Sequence, residues 1–395
     1  MSKTIIIYVV ALCSFSTVQA QDSLLIKQLT QHVETFSIQD SIFQGKGWTT
    51  LLKEIEKSGN VLIGESHFTK EIPYFTSQIA THHFFDNFIF EIDPFSAAIL
   101  EDKIKNLNAS GLEAYYKTYG ENFSFYASKP EYELLKQLAK AGTSFIGTDQ
   151  IIKIGDRLIF SELASETKNE TAKVIFNRIV TKSAKYYDAF LEDTSKDFYI
   201  ETKEFLNDLE ALSSLDLSEK EKKCIAAFYT TVKIFNTDDH SFRIDVMKHQ
   251  LMNRYDDWGV RGKKNLFKYG AVHAPKGESL LRIYDIGNLV NNISDSHFDT
   301  SLHIMIVGMT GTSGAPFKGF PPQNVSYEKG MLQPISLFFN AVKGDQWHCF
   351  DTRPIWKAYL RGELTIKSTM IKRILKGYDY VIIIPEVTAA VVEKK

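Results

Sequence analysis

The side chains best suited to chemistry in this sequence each follow a short apolar run. Glu65 and His67 close Asn60-Val61-Leu62-Ile63-Gly64-Glu65-Ser66-His67. Glu91 and Asp93 close Asn87-Phe88-Ile89-Phe90-Glu91-Ile92-Asp93-Pro94, and His273 closes Leu266-Phe267-Lys268-Tyr269-Gly270-Ala271-Val272-His273. Asp149 follows Ser144-Phe145-Ile146-Gly147-Thr148. Two carboxylates and two imidazoles suit general acid–base work: a carboxylate orients one imidazole, which takes a proton from water. The second imidazole, or Arg243, then stabilises an oxyanion. The same set suits a divalent metal, since histidine and carboxylate ligate zinc and manganese. No HExxH helix or CxxC pair adds to that metal signal. Asp93, Asp149 and Arg243 are assigned to substrate binding. The structural alternatives are that both aspartates cap helices and that Arg243 pairs with a carboxylate. Ser66 lacks a Gly-x-Ser-x-Gly frame, so no nucleophile elbow is read there. Gly308–Gly314 lacks the lysine of a phosphate loop.

The elements follow from these runs. They are too short for helices and suit strands buried on both faces. Parallel strands deliver their carboxyl ends to one sheet edge, where distant residues meet. Gly64 is read as permitting a sharp exit from its strand. Helices are expected over Asp22–Phe36, Trp48–Ser58, Phe68–Phe84 with Pro73 in the first turn, Ser96–Asn106, Pro130–Ala141 and Ser368–Lys376. The class is therefore α/β: a central, largely parallel sheet flanked by helices. Residues 158–235 contain no proline or glycine and read as a helical insertion, with Ser218 an N-cap before Glu219 and Glu221. A helix over Ser241–Trp258 puts Arg243, Met247, Gln250 or Leu251, and Arg254 on one face. Ser279–Ile283, Leu302–Val307 and Tyr380–Ile384 are further strands. Met309–Gly330, rich in glycine and proline, is expected to be a long loop bordering the site. The aromatic residues of Tyr115–Tyr126 are read as core rather than pocket wall. Asp351 and Arg353 are expected to pair around Pro354.

Residues 1–20 have the charged start, apolar centre and small-residue cleavage site of a secretory signal cut near Ala20. The apolar run is too short to span a bilayer. The expected product, residues 21–395, is periplasmic or secreted and has no transmembrane segment. Without Lys3, the 46 basic residues become 45, against 48 acidic ones. That near-neutral balance argues against nucleic acid or an acidic membrane as the main partner; the partner expected is a small-molecule substrate or ligand. Cys224 and Cys349 are either two buried thiols or one pair.

Gly64-Glu65-Ser66-His67, Phe90-Glu91-Ile92-Asp93, Gly147-Thr148-Asp149, Arg243-x-x-x-Met247, Gly270-Ala271-Val272-His273 and Asp351-Thr352-Arg353-Pro354 come in order along nearly all of the chain. The series resembles the erythromycin esterase superfamily, with its ChaN-like haem-uptake and Tiki/TraB branches. The resemblance implies an α/β sheet with the Glu–His pair and the late histidine in one cleft. It implies water activation against a macrolactone in the esterase branch, metal-dependent peptide cleavage in the Tiki branch, and haem or iron in the ChaN-like branch. Two features depart from the esterases. Their Glu-x-x-His is Glu65-Ser66-His67 here, as in the ChaN-like branch. Their His-Asn-x-His has Gly270 in its first place. The expectation is an exported hydrolase of a small ester, lactone or amide, using His67 with Glu65 and Glu91, assisted by His273. The alternatives are a haem- or metal-binding protein without turnover and a non-catalytic surface domain.

Overall fold

The computed structural model describes residues 23–255, 259–328 and 330–392. The leader expected over 1–20 lies outside the described residues. Ten strands make a mixed, mostly parallel sheet, accompanied by fifteen helices among the described residues. The α/β class is as expected. The chain divides into two compact units.

The first unit holds the residues up to Ser66, Tyr269–Thr312 and Asn324–Val387. Its strands lie in the order β2 (Ile42–Gln44), β1 (Val33–Gln39), β9 (Trp347–Asp351), β10 (Tyr380–Val387), β7 (Ser301–Ser313) and β3 (Asn60–Glu65). β3, β7 and β10 pair in parallel, with Val61 opposite Leu302 and Ile63 opposite Ile304. Val61, Leu62 and Ile63 are fully buried; each such side chain contributes about 1.5–3 kcal/mol. β9 and β1 continue the sheet antiparallel. That edge replaces part of the helix expected over 22–36: α1 covers only residues 23–31. The cause is Phe36, which is buried and packs on Phe43, Trp48 and Trp347 from an extended strand. α2 (Lys46–Lys57), α12 (Ile286–Ser296), α13 (Ser336–Phe339), α14 (Arg353–Leu360) and α15 (Thr369–Gly377) complete this unit.

Three local readings change. β7 runs to Ser313, so the glycine- and proline-rich loop begins later than Met309. Ser279–Ile283 is a turn rather than a strand, closed by Ser279 N donating to Ile283 O at 2.8 Å. Gly64 is needed for close packing: a Cβ there would lie 2.8 Å from Tyr378 Oη and 3.0 Å from Ala274 Cβ. Asp351 and Arg353 do pair, at 2.8 Å. Cys224 and Cys349 are both buried and free, so the disulfide alternative falls.

The second unit holds His67–Lys268, Ser313–Gln323 and the residues from Thr388. Here β4 (Asn87–Phe90) lies between β5 (Ser144–Gly147) and β6 (Asn265–Gly270, in this unit as far as Lys268), all parallel. The two-residue β8 is Gln323–Asn324. α3 (Glu71–His82), α4 (Pro94–Asn106), α5 (Ala109–Tyr119) and α6 (Lys129–Lys140) follow the strands. The proline- and glycine-free tract, 158–235, lies within α7 (Gly155–Glu166), α8 (Glu170–Glu192), α9 (Lys203–Ser213) and α10 (Glu219–Thr237) and their connections. Ser218 caps α10 and forms a capping box with Glu221. These helices bury their own core, in which Phe160 and Phe228 stack at 4.6 Å. α11 (His240–Tyr255) comes next. No helix among the described residues is long and apolar enough to cross a membrane.

Candidate functional site

In the second unit, β4 delivers Glu91 and Asp93 at its carboxyl end. Asp93 caps α4, accepting from Phe95 N at 3.0 Å and Ser96 N at 2.8 Å. Asp149 N donates to Ile92 O at 2.9 Å, which ties the end of β5 to the end of β4. Arg243, in the first turn of α11, reaches both carboxylates. Its Nη2 lies 2.8 Å from Glu91 Oε1 and its Nε 2.9 Å from Asp149 Oδ1. Two turns along, Gln250 Nε2 donates to Asp149 O at 3.2 Å. Burial opposes the charge of Arg243, but Asp149 and Glu91 outweigh it and raise its pKa further. Burial raises Asp93 to about 6; the bonds from Ser96 and Phe95 oppose this, and the charge of Asp149 adds to it.

The other oxygen of Glu91 faces His67. His67 Nε2 and Glu91 Oε2 are 3.5 Å apart, with 18% of the histidine side chain exposed and 2% of the glutamate. Glu91 therefore stands between an arginine and an imidazole. The His67 ring stacks on Phe125, with centroids 3.9 Å apart and planes 9° from parallel. Phe123 and Tyr126 are core, as read from the sequence, but Phe125 is a wall. The sharp turn is made at Phe68, whose φ of 65° is strained for a bulky residue. Gly314 N and Ala390 N hold the Phe68 carbonyl, each at 2.8 Å. A cavity of about 290 Å³ is bordered by Phe125, Ile152, Phe235 and Pro316, with Asp93, Asp149, Gln150, Lys153 and Arg243 as polar lining.

Glu65 and His273 belong to the first unit. Glu65 is 3% exposed, and its carbonyl accepts from Ala271 N at 2.8 Å. His273 is 2% exposed, and its Nδ1 lies 2.9 Å from Asp285 Oδ2. Asp285 also accepts from Ile286 N at 2.7 Å and so caps α12. Ser66 has a structural bond, its hydroxyl 2.7 Å from Tyr327 Oη. In the second unit His67, Glu91, Asp149 and Arg243 thus form a contacting set, with Asp93 on the cavity wall; in the first, His273 pairs with Asp285. Phe125 and Asp285 were not anticipated. Among the described residues no group of three or more His, Cys, Asp and Glu is placed to hold a metal ion.

No protein-family model and no curated protein matches the sequence. Solved structures match its fold. An erythromycin esterase, EreC, in its open conformation is 14% identical at a TM-score of 0.56, over 88% of this chain and 95% of that one. This chain shares the fold of an erythromycin esterase. A structure described as a succinoglycan biosynthesis protein is 13% identical at a TM-score of 0.55, over 95% of this chain and 99% of that one. ChaN of Campylobacter jejuni, described as binding heme cofacially, is 13% identical over 70% of this chain and 91% of that one; its TM-score of 0.29 carries no argument.

Proposed function

We propose that the chain is a hydrolase of a small ester or lactone, with His67 as general base. The observation that carries this is Glu91, bound by Arg243 through one oxygen and facing His67 through the other. With Nε2–H directed at Glu91, the second ring nitrogen has the tautomer that takes a proton from water. Hydroxide adds to the carbonyl carbon, the tetrahedral intermediate collapses, and the imidazolium returns the proton to the leaving oxygen. Glu91 stabilises that imidazolium as it forms. Arg243 supplies the oxyanion donor: its Nε and Nη2 are engaged by Asp149 and Glu91, and no described residue takes a hydrogen bond from its Nη1. The adjoining cavity has room for a small acyl or lactone group.

The test is hydrolysis of p-nitrophenyl butyrate and of a simple lactone by the purified full chain. His67→Ala should lower kcat by roughly 10²–10⁴-fold, the usual yield of a positioned base. Full activity in a folded His67→Ala protein overturns the reading. Export is proposed with it, from the leader over residues 1–20; N-terminal sequencing of the secreted product checks cleavage near Ala20.

A further inference from the structure

The second unit has another cavity, of about 420 Å³, bordered by the start of α4 and by α10 and α11. It shares Asp93, Asp149 and Gln150 with the smaller cavity at Arg243. Phe95, Ala227, Phe242 and Val246 give it apolar walls, and no lysine or arginine lines it. Its polar atoms are unbalanced. Asp93 Oδ2, Gln150 Oε1 and Gln250 Oε1 are buried and have no hydrogen-bond partner among the described residues. Buried acceptors are ordinarily satisfied, so three around one cavity need an explanation. Gln250 is oriented by its Nε2 bond to Asp149 O at 3.2 Å, which leaves the oxygen and not the nitrogen unmet. Asp93 is 1% exposed and its other oxygen is taken by the cap of α4. The Ser96 hydroxyl faces the Asp93 carboxylate and, as a side-chain donor, lowers its pKa.

Two unmet amide oxygens and a buried carboxylate around one cavity suit a cation that carries N–H groups. A bare metal ion is the poorer fit, because among the described residues no three His, Cys, Asp or Glu side chains converge. We infer that this cavity binds the protonated amine of a small organic molecule, with Asp93 as counter-ion and the Gln250 and Gln150 oxygens accepting its N–H groups.

The test is calorimetric titration of the full chain with n-butylammonium, and with butan-1-ol as the uncharged analogue of similar size. The amine should bind saturably and the alcohol about tenfold or more weaker, the margin a charge-assisted bond supplies. Asp93→Asn keeps a capping oxygen and should weaken the amine about tenfold, with alcohol binding unchanged. Absence of saturable amine binding, equal binding of the alcohol, or an unaffected Asp93→Asn protein overturns the inference. The alcohol comparison stands on the native protein even if the variant misfolds. Ester hydrolysis plays no part in this readout, so its outcome is separate from that of the hydrolase reading.

Discussion

The His67 imidazole and the Phe125 ring lie face to face, 3.9 Å between centroids and 9° from parallel. An imidazole hinged at its Cβ can rotate its edge away from a partner. A flat ring beneath it fixes its plane, here with Nε2 toward Glu91. When His67 takes up a proton the same ring faces a cation, an interaction of about 0.5–2 kcal/mol.

Phe125→Leu removes the stack and keeps an apolar wall. The expected result is a kcat about three- to tenfold lower on p-nitrophenyl butyrate, as the loss of an aromatic pairing implies. KM should change little, and Phe125→Tyr should restore the rate. Equal rates for the Leu and native proteins would reduce Phe125 to packing.

Arg243 joins two carboxylates whose side chains are 2% and 8% exposed. Arg243→Met strands both, and breaking such a buried pair costs about 3–5 kcal/mol. Urea unfolding should show that loss. Arg243→Lys restores the charge without the planar fork, so it should recover part of the stability and little of the activity. A lysine variant as active as the native protein contradicts the oxyanion role of the guanidinium.

Asp93 makes stability depend on pH, in the direction opposite to most carboxylates. Its pKa is raised to about 6 in the folded chain, chiefly by burial and also by Asp149, against an ordinary value of 3.8. Below the ordinary value it is protonated folded and unfolded, and it costs nothing. As pH rises toward 6 the folded protein retains a proton that the unfolded chain releases, so stability falls; above 6 the penalty is complete. Asp93→Asn removes the penalty and keeps the cap of α4. Its advantage over the native protein should grow between pH 4 and 6 and then level off, at about 2–3 kcal/mol. Urea titrations at pH 4, 5, 6 and 7.5 check this; a constant difference across them contradicts it.

The parts of the fold legible from sequence were those with a local cause. Val61–Ile63 and Phe88–Phe90 are strands because both faces are buried, which makes the run continuous in apolar residues. Residues 158–235, without proline or glycine, fold mainly as helices, and Ser218 with Glu221 marks a helix start in four residues. The sheet edge was hidden because β1 is only partly buried, so its mixed polar and apolar residues blend into the helix before it. Arg243 was legible through its place on one helix face. Phe125 was not, since nothing local distinguishes a ring that stacks on a histidine from its core neighbours Phe123 and Tyr126. Asp285 was hidden too, because a cap and a histidine partner leave the same single aspartate in the sequence.

That aspartate separates two roles for His273. Asp285 is fully buried and serves two donors, His273 Nδ1 at 2.9 Å and Ile286 N at 2.7 Å. Asp285→Asn retains the cap but is no longer a carboxylate facing the imidazole, so it loses the partner that fixes the ring's tautomer. If His273 takes part in hydrolysis, Asp285→Asn and His273→Ala should each lower kcat by about 10²-fold or more. The asparagine variant should also lose about 1–3 kcal/mol from the weakened buried bond. If both variants lose stability while the folded fraction hydrolyses p-nitrophenyl butyrate at the native rate, the pair is structural. The proposed mechanism, which runs through His67, Glu91 and Arg243, then needs no second imidazole.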